Sequence, residues 1–323
     1  MLNVAVVGAT GVVGETIVRV LEERKVPLNT LGRFASRARD GVEATSAQRL
    51  RDFDVVFFAS GEDASEAYAP ALIEHGVYVI DNSSTFRMRA GVPLVIPEVN
   101  PGAVEPAHRL FPVANCTAII LCTALAPIRD EAGLRSVRVA TYQSASGAGR
   151  AGLEELLAGE QAVARGEREP EPTTFPRPLV RNVIPQIGSF EGSGYSGEER
   201  KVADETRKML DLPQLLVSAT TVRVPVRTAH SEAVWVETQR ETSTQALGAA
   251  LGRAPGVVYH PDGIVTPREV EGTDLVHVAR LRRETGDSTR NFVLWCAGDQ
   301  LRKGAATNAV QILELLLARG LVG

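Results

Sequence analysis

The chain has 323 residues, 44% of them hydrophobic and 23% charged, enough for two ordinary domains with packed cores. A net charge of −4, with no basic block or acidic tail, argues against nucleic acid or a membrane surface as the main partner. Three cysteines (Cys116, Cys122, Cys296), with no CxxC and no Cys/His cluster at zinc spacing, suit a reducing cytoplasm and give no support for a metal.

The opening "MLNVAVVGATG" runs straight into an apolar strand and lacks the basic region and cleavage site of a signal peptide. No apolar run reaches the roughly 20 residues of a membrane span. Val4–Val7 read as a parallel strand buried on both faces. Gly8, Gly11 and Gly14 follow at GxxGxxG spacing, and from Val12 onward Val13, Ile17, Val20 and Leu21 recur at helical spacing. Such a strand–turn–helix lets the backbone approach a pyrophosphate, whose charge then sits at the helix N-terminus. An NAD site places Asp or Glu at the end of the next strand, for the ribose hydroxyl. "TLGRFASRARD" has Ser36, Arg37 and Arg39 there instead. A hydroxyl beside a guanidinium suits a 2′-phosphate, so NADP is expected over NAD. Read otherwise, these arginines are solvated loop charges.

The rhythm continues with the strand "FDVVFFAS", the helix "ASEAYAPALIEHG" and the strand "VYVIDNSS". "PLVIPEVNP" and "LFPVAN" read as further short strands. Alternation of this kind implies a parallel sheet with ligands at the carboxyl ends of its strands, where Ser60, Asn82, Ser83 and Asn115 fall. The helix "TAIILCTALAPIRDEAG" closes at Pro127 or Gly133. Beyond it come the strand "SVRVATYQ", a proline-rich arm over 165–178, and a glycine-rich loop feeding the charged helix around "EERKVADETRKML". The alternating segments "ATTVRVPVRTAHSEAVWVETQ", "LVHVARLRR" and "NFVLWCAG" predict an antiparallel sheet in this half. A strong amphipathic helix over 299–320 ends the chain.

Asn115 is a good N-cap residue, and Cys116 then falls in the first helical turn, where the helix dipole favours a thiolate. Alternatively it is an inert buried thiol, which is how Cys122 and Cys296 read. His230 is one of five histidines and of the type that serves a thiol nucleophile as base, although spacing alone favours a surface or structural role. Arg223 suits a carboxylate or phosphate, but in an unbroken strand it would face away from His230; Pro225 permits a bend. Glu198 and Lys201 share a helical face, as a solvated ion pair or as ligands. Arg87 follows a strand-end loop, as an anion ligand or a loop charge. Gln143 ends its strand, placed to orient a carbonyl or to bond local backbone.

In order, "GATGVVG", "DNSSTFRM", "VIPEVNP", "ANCTAI", "YQSASGAG", "EERK", "RVPVRTAHSE" and "GDQLRKGAATNAVQI" resemble the aspartate-semialdehyde dehydrogenase family across nearly the whole chain. The resemblance implies a Rossmann-like NADP-binding domain with a mostly parallel sheet over 1–115, completed by a returning C-terminal helix at 303–323. It implies a central α+β catalytic and dimerisation domain over 116–302. It further implies a cytoplasmic homodimer that makes aspartate semialdehyde for lysine, threonine, methionine and isoleucine synthesis. Cys116 would be the thioester-forming nucleophile, His230 the acid/base, and Gln143 the group orienting the acyl chain. Arg223 would hold the substrate carboxylate and Glu198 its amino group; Arg87 and Lys201, with Asn115, would bind phosphate. Gly8, Thr10, Gly11, Val12, Val13, Gly14, Ser36, Arg37, Ser60, Ser146, Gly147 and Gln300 would line the cofactor. The chain departs from the family at "VANCTAI", where relatives often carry Pro before the Asn and Ser after the Cys. The rival readings are N-acetyl-γ-glutamyl-phosphate reductase, whose acylated substrate nitrogen needs no carboxylate partner, and a non-catalytic NADP-binding regulator.

Overall fold

A computed structural model describes residues 1–286 and 288–323 and divides into two compact units, Met1–Asn115 with Gly304–Gly323, and Cys116–Lys303. The first unit carries strands β1 (Leu2–Val7), β2 (Leu28–Ala35), β3 (Glu43–Ala44), β4 (Val55–Phe58), β5 (Tyr78–Asp81) and β6 (Leu110–Pro112). They form one parallel sheet in the order β3-β2-β1-β4-β5-β6. Helices α1 (Val12–Glu23), α2 (Ala47–Leu50) and α3 (Glu62–Glu74) supply crossovers. The strand order reverses beside β1, the switch point at which such sheets bind ligands. Every residue of β4 and β5 is buried, which explains their unbroken apolar runs.

The C-terminal helix Thr307–Ala318 belongs to this unit. Arg24, the residue that caps the C-terminus of α1, makes a two-pronged ion pair with Glu314, at 2.8 and 2.7 Å, and the Asn308 amide donates to the Val95 carbonyl at 3.0 Å. The segment "PLVIPEVNP", expected as a strand, is irregular. Pro93 and Pro97 have no N–H to donate to a ladder. Asn100 instead takes up the Ile96 N–H and the Leu94 carbonyl, both at 2.8 Å.

The second unit begins at helix α4 (Cys116–Ala132). It continues with β7 (Leu134–Gln143), α5 (Gly149–Ala164), α6 (Gly197–Leu210), β8 (Leu216–Arg223), β9 (His230–Thr238), α7 (Thr244–Arg253), β10 (Val257–His260), α8 (Pro267–Val270), β11 (Val276–Arg283) and β12 (Asn291–Gly298). Helix α4 runs through Pro127 and stops before Gly133, whose φ of 71° is the left-handed stop expected of glycine. Twelve of its residues are buried, and that packing offsets the few kcal/mol an internal proline costs.

The second sheet, in the order β10-β11-β12-β9-β7-β8, is mixed rather than antiparallel. Its central pairs are antiparallel, but β7–β8 and β10–β11 run parallel. The chain between β7 and β8 holds α5 and α6, which gives it the length a parallel crossover needs. Within that crossover the proline-rich arm is anchored. Glu155 on α5 accepts from the Thr173 and Thr174 backbone N–H groups at 2.8 and 2.6 Å, and Phe175 packs with Ala145, Leu156 and Ile184.

Candidate active site

In the first unit the glycine turn is a backbone construction. Gly8 has φ 82°, and a Cβ there would lie 2.5 Å from the Ala59 carbonyl oxygen. A Cβ on Gly14 would lie 2.2 Å from the Gly8 oxygen, so α1 can pack this close to β1 only without a side chain. Gly11 is different. Its added Cβ would meet no protein atom nearer than 3.4 Å, and Gly11 lines a cleft of about 620 Å³. Gly8, Thr10, Ser36 and Ser60 line the same cleft, together with Asp63 and Tyr68, which sequence reasoning missed. Arg37 lies next to Ser36 just past β2, exposed, and no carboxylate ends that strand. Val12 and Val13 open α1 and are half-buried.

At the end of β5, Asp81 builds the loop that carries Arg87. Its carboxylate accepts from the Ser65 hydroxyl at 2.8 Å, the Ser83 N–H at 2.9 Å and the Ser83 hydroxyl at 2.7 Å. Burial raises its pKa, while these donors and the nearby Arg87 oppose that rise. Arg87 is itself buried and donates to the Asn82 carbonyl at 3.0 Å. Asn115 is buried immediately before α4.

In the second unit four strand ends converge. Gln143 ends β7, Arg223 ends β8 in register with it, His230 starts β9, and Gln300 follows β12. His230 is completely buried, which overturns its reading as a surface residue. The chain from Val224 to Ala229 is a turn between two strands, entering β9 through Ala229 at φ 70°. The seven-residue spacing therefore brings Arg223 and His230 to one place instead of opposite faces. A Cβ on Gly147 would sit 2.8 Å from Arg223 Nη1 and 3.2 Å from His230 Nε2.

Arg223 donates through Nη1 to the Ser144 carbonyl at 2.6 Å, and its guanidinium lies 5.7 Å from the Phe175 ring centroid. Burial lowers its pKa, opposed by the negative charges of Glu198 and a Cys116 thiolate, so both groups lie within its field. Gln143 donates through Nε2 to Glu198 Oε1 at 3.1 Å and accepts from the Thr141 hydroxyl at 3.0 Å. Glu198 is presented by the first turn of α6, which a Ser196/Glu199 capping box starts. Lys201 is exposed on the same helix, one turn on from Glu198.

The imidazole of His230 takes the Ser144 backbone N–H at Nδ1, at 3.1 Å, with the Ser144 hydroxyl also 3.1 Å away. Its Nε2 is buried without a hydrogen-bond partner. Burial first, and then the Arg223 charge, push its pKa down to about 3, against a smaller opposite effect of the Ala229 backbone. Both causes disfavour the imidazolium. Ser146 and Gln300 pin the turn before it: Gln300 donates to the Ser146 hydroxyl at 2.6 Å and accepts from the Ala229 N–H at 2.7 Å. The three cysteines are unlike one another. Cys116 is half-buried at the start of α4, whereas Cys122 and Cys296 are fully buried with pKa values raised by that burial. Among the described residues no cluster of three metal-ligating side chains occurs, and no helix is long and apolar enough to cross a membrane.

The fold and these two sites fall within the semialdehyde dehydrogenase class. The family's NAD binding domain matches residues 3–107 and its dimerisation domain matches residues 125–303. The aspartate-semialdehyde dehydrogenase of Aquifex aeolicus is 40% identical over 338 residues, 99% of each chain, and that of Bacillus subtilis is 38% identical over 99% of each. The crystal structure of aspartate-semialdehyde dehydrogenase II from Vibrio cholerae complexed with ASA superposes with a TM-score of 0.93, at 38% identity and 98% coverage of both chains. The chain belongs to the aspartate-semialdehyde dehydrogenase family.

Proposed function

We propose that this protein reduces 4-phospho-L-aspartate to L-aspartate 4-semialdehyde, releasing phosphate, with NADPH as reductant, as a cytoplasmic homodimer. The observation that carries this reading is the meeting of Arg223 and His230 beside Gly147, with Gln143 bonded to Glu198 and the Arg223 guanidinium within the field of both Glu198 and Cys116. A buried guanidinium suits the substrate's α-carboxylate, and the Glu198 carboxylate suits its ammonium. Together they select a free amino acid, which an acylated nitrogen would not satisfy. Arg87 and Lys201, with Asn115, are assigned to the phosphate.

The thiolate of Cys116 attacks the acyl carbon; a C–S bond forms, the acyl–phosphate C–O bond breaks, and phosphate leaves. Gln143, held by Glu198 and Thr141, orients the acyl group. A nicotinamide bound there would supply the hydride that reduces the thioester carbon, its carbonyl oxygen becoming an alkoxide. The C–S bond then breaks, freeing the aldehyde and returning the thiolate, while His230 stabilises the oxygen. Donors at the start of α4, worth about 3 kcal/mol each in such sites, stabilise the same oxygen. The first unit's residues fit the cofactor: Gly8 and Gly14 let β1 and α1 close into a tight turn, Gly11 leaves room there for a pyrophosphate, Thr10, Val12 and Val13 surround the helix start, and Ser36 with Arg37 suits a 2′-phosphate. Ser60, Ser146, Gly147 and Gln300 complete that assignment.

The test is phosphate-dependent oxidation of aspartate semialdehyde, followed by NADPH absorbance. Turnover with aspartate semialdehyde and none with the N-acetyl-γ-glutamyl analogue is expected; the reverse selectivity refutes the assignment.

A further inference from the structure

We infer that Phe175, carried by the proline-rich arm, is a positioning residue of the substrate site: the face of its ring holds the Arg223 guanidinium where the α-carboxylate is received. The inference rests on the assignment of that carboxylate to Arg223. Arg223 Cζ lies over the Phe175 ring, 5.7 Å from its centroid, within the range at which a ring quadrupole attracts a cation. Both side chains are buried, Phe175 at 7% exposure and Arg223 at 6%. Burial disfavours the charge of Arg223, and so little exposed surface leaves few waters to offset that cost. The ring face and the Ser144 carbonyl, which accepts from Nη1 at 2.6 Å, take the place of those waters.

The same stretch of chain grips Arg223 a second time, at its backbone. Ile184, just beyond the arm, donates its N–H to the Arg223 carbonyl at 3.0 Å, and its own carbonyl accepts from the Arg223 N–H at 2.8 Å. Phe175 and Ile184 share one apolar cluster with Ala145, Leu156 and Leu179. The ring is wedged in place. A Cβ added to Gly152 on α5 would lie 3.0 Å from Phe175 Cζ, so the helix comes right up to the tip of the ring. The backbone behind the ring is held by Glu155, also on α5. Its carboxylate accepts from the N–H groups of Thr173, Thr174 and Phe175 at 2.8, 2.6 and 3.4 Å. Glu155 thus fixes the backbone from which the ring projects, and the ring fixes the guanidinium. Phe175 acts on the substrate only through Arg223.

Site-specific replacement of Phe175 by phenylalanines with one and then two fluorines, at the meta positions away from Gly152, tests this. Fluorine withdraws negative charge from the ring face and changes its shape little. KM for aspartate semialdehyde should climb with each fluorine, to about fivefold with two, while kcat stays within about twofold and Tm is unchanged. A KM that ignores the fluorines overturns the proposal, even if Phe175→Leu is impaired, because leucine also leaves a gap in the cluster. Arg223→Leu separates this proposal from the assignment beneath it. That variant should raise KM by about 10²-fold or more and abolish the response to fluorine. If Arg223→Leu leaves KM where it was, the carboxylate assignment fails, and the role of Phe175 with it. If Arg223→Leu raises KM but the fluorine series is flat, the assignment stands and the role of Phe175 falls.

Discussion

The two units build their sites from different material. In the first, the cradle is backbone: three glycines in seven residues, two of which admit no Cβ, around a cleft at the switch point of a parallel sheet. In the second, the site is side chains delivered from four strand ends and two helix starts, spread in sequence from Cys116 to Gln300. The first is specified locally and tolerates change outside the turn. The second is correct only if distant segments fold to the right register, and it is held by relayed contacts such as those of Ser144 and Gln300.

The sharpest way to break this comparison is at the nucleophile. Cys116→Ala should abolish turnover, by at least about 10⁴-fold, while NADP binding measured by calorimetry stays intact, since the thiol is chemistry and the cradle is not. Residual activity near wild type would remove Cys116 from the mechanism. Within the cradle, the glycines should separate. Gly14→Ala forces a Cβ to 2.2 Å from the Gly8 oxygen and should cost about 3 kcal/mol or more, seen as a large fall in Tm. Gly11→Ala has 3.4 Å of room and should leave Tm within a few degrees while weakening NADP. Equal destabilisation by both would show that the turn, rather than a ligand, requires the glycines.

The buried imidazole sharpens the contrast through pH. Its folded pKa near 3 lies below the ordinary 6.5, so the unfolded chain alone binds this proton between those values. Above about pH 6.5 the group contributes nothing; as pH falls below it, stability is lost at up to about 1.4 kcal/mol per pH unit. His230→Gln should flatten that part of the denaturation profile relative to wild type, and parallel profiles would contradict burial of a neutral ring. The smallest effect is expected at the exposed Arg37. Arg37→Asp should move the NADP-to-NAD preference by about tenfold toward NAD, and an unchanged ratio of kcat/KM values would place the 2′-phosphate elsewhere.

Legibility follows the same division. The glycine turn, the parallel strands and the position of Cys116 in the first turn of α4 could be read because each is a short stretch with its own physics. Residues 93–101 misled because an apolar run looks like a strand, yet two prolines remove its ladder and Asn100 takes over the backbone. Helix α4 ran past Pro127 because near-complete burial outweighs a local breaker. Spacing alone left His230 between a surface and a structural role because burial comes from the tertiary fold, and nothing in "RTAH" announces the turn that returns it to Arg223. Ser144 was missed for a plainer reason: what it contributes is an N–H and a C=O, which every residue but proline has.

The first unit is built from two stretches separated by the second, with Glu314 paired to Arg24 and Asn308 bonded to Val95. On the ribosome, the unit whose first stretch precedes Cys116 is thus completed only after the unit inserted within it. Its early strands must wait, exposed, while 188 intervening residues emerge (Cys116–Lys303). A nascent chain stalled short of Gly304 could finish the later module but not the earlier one, which gives quality-control machinery a simple mark of an incomplete polypeptide.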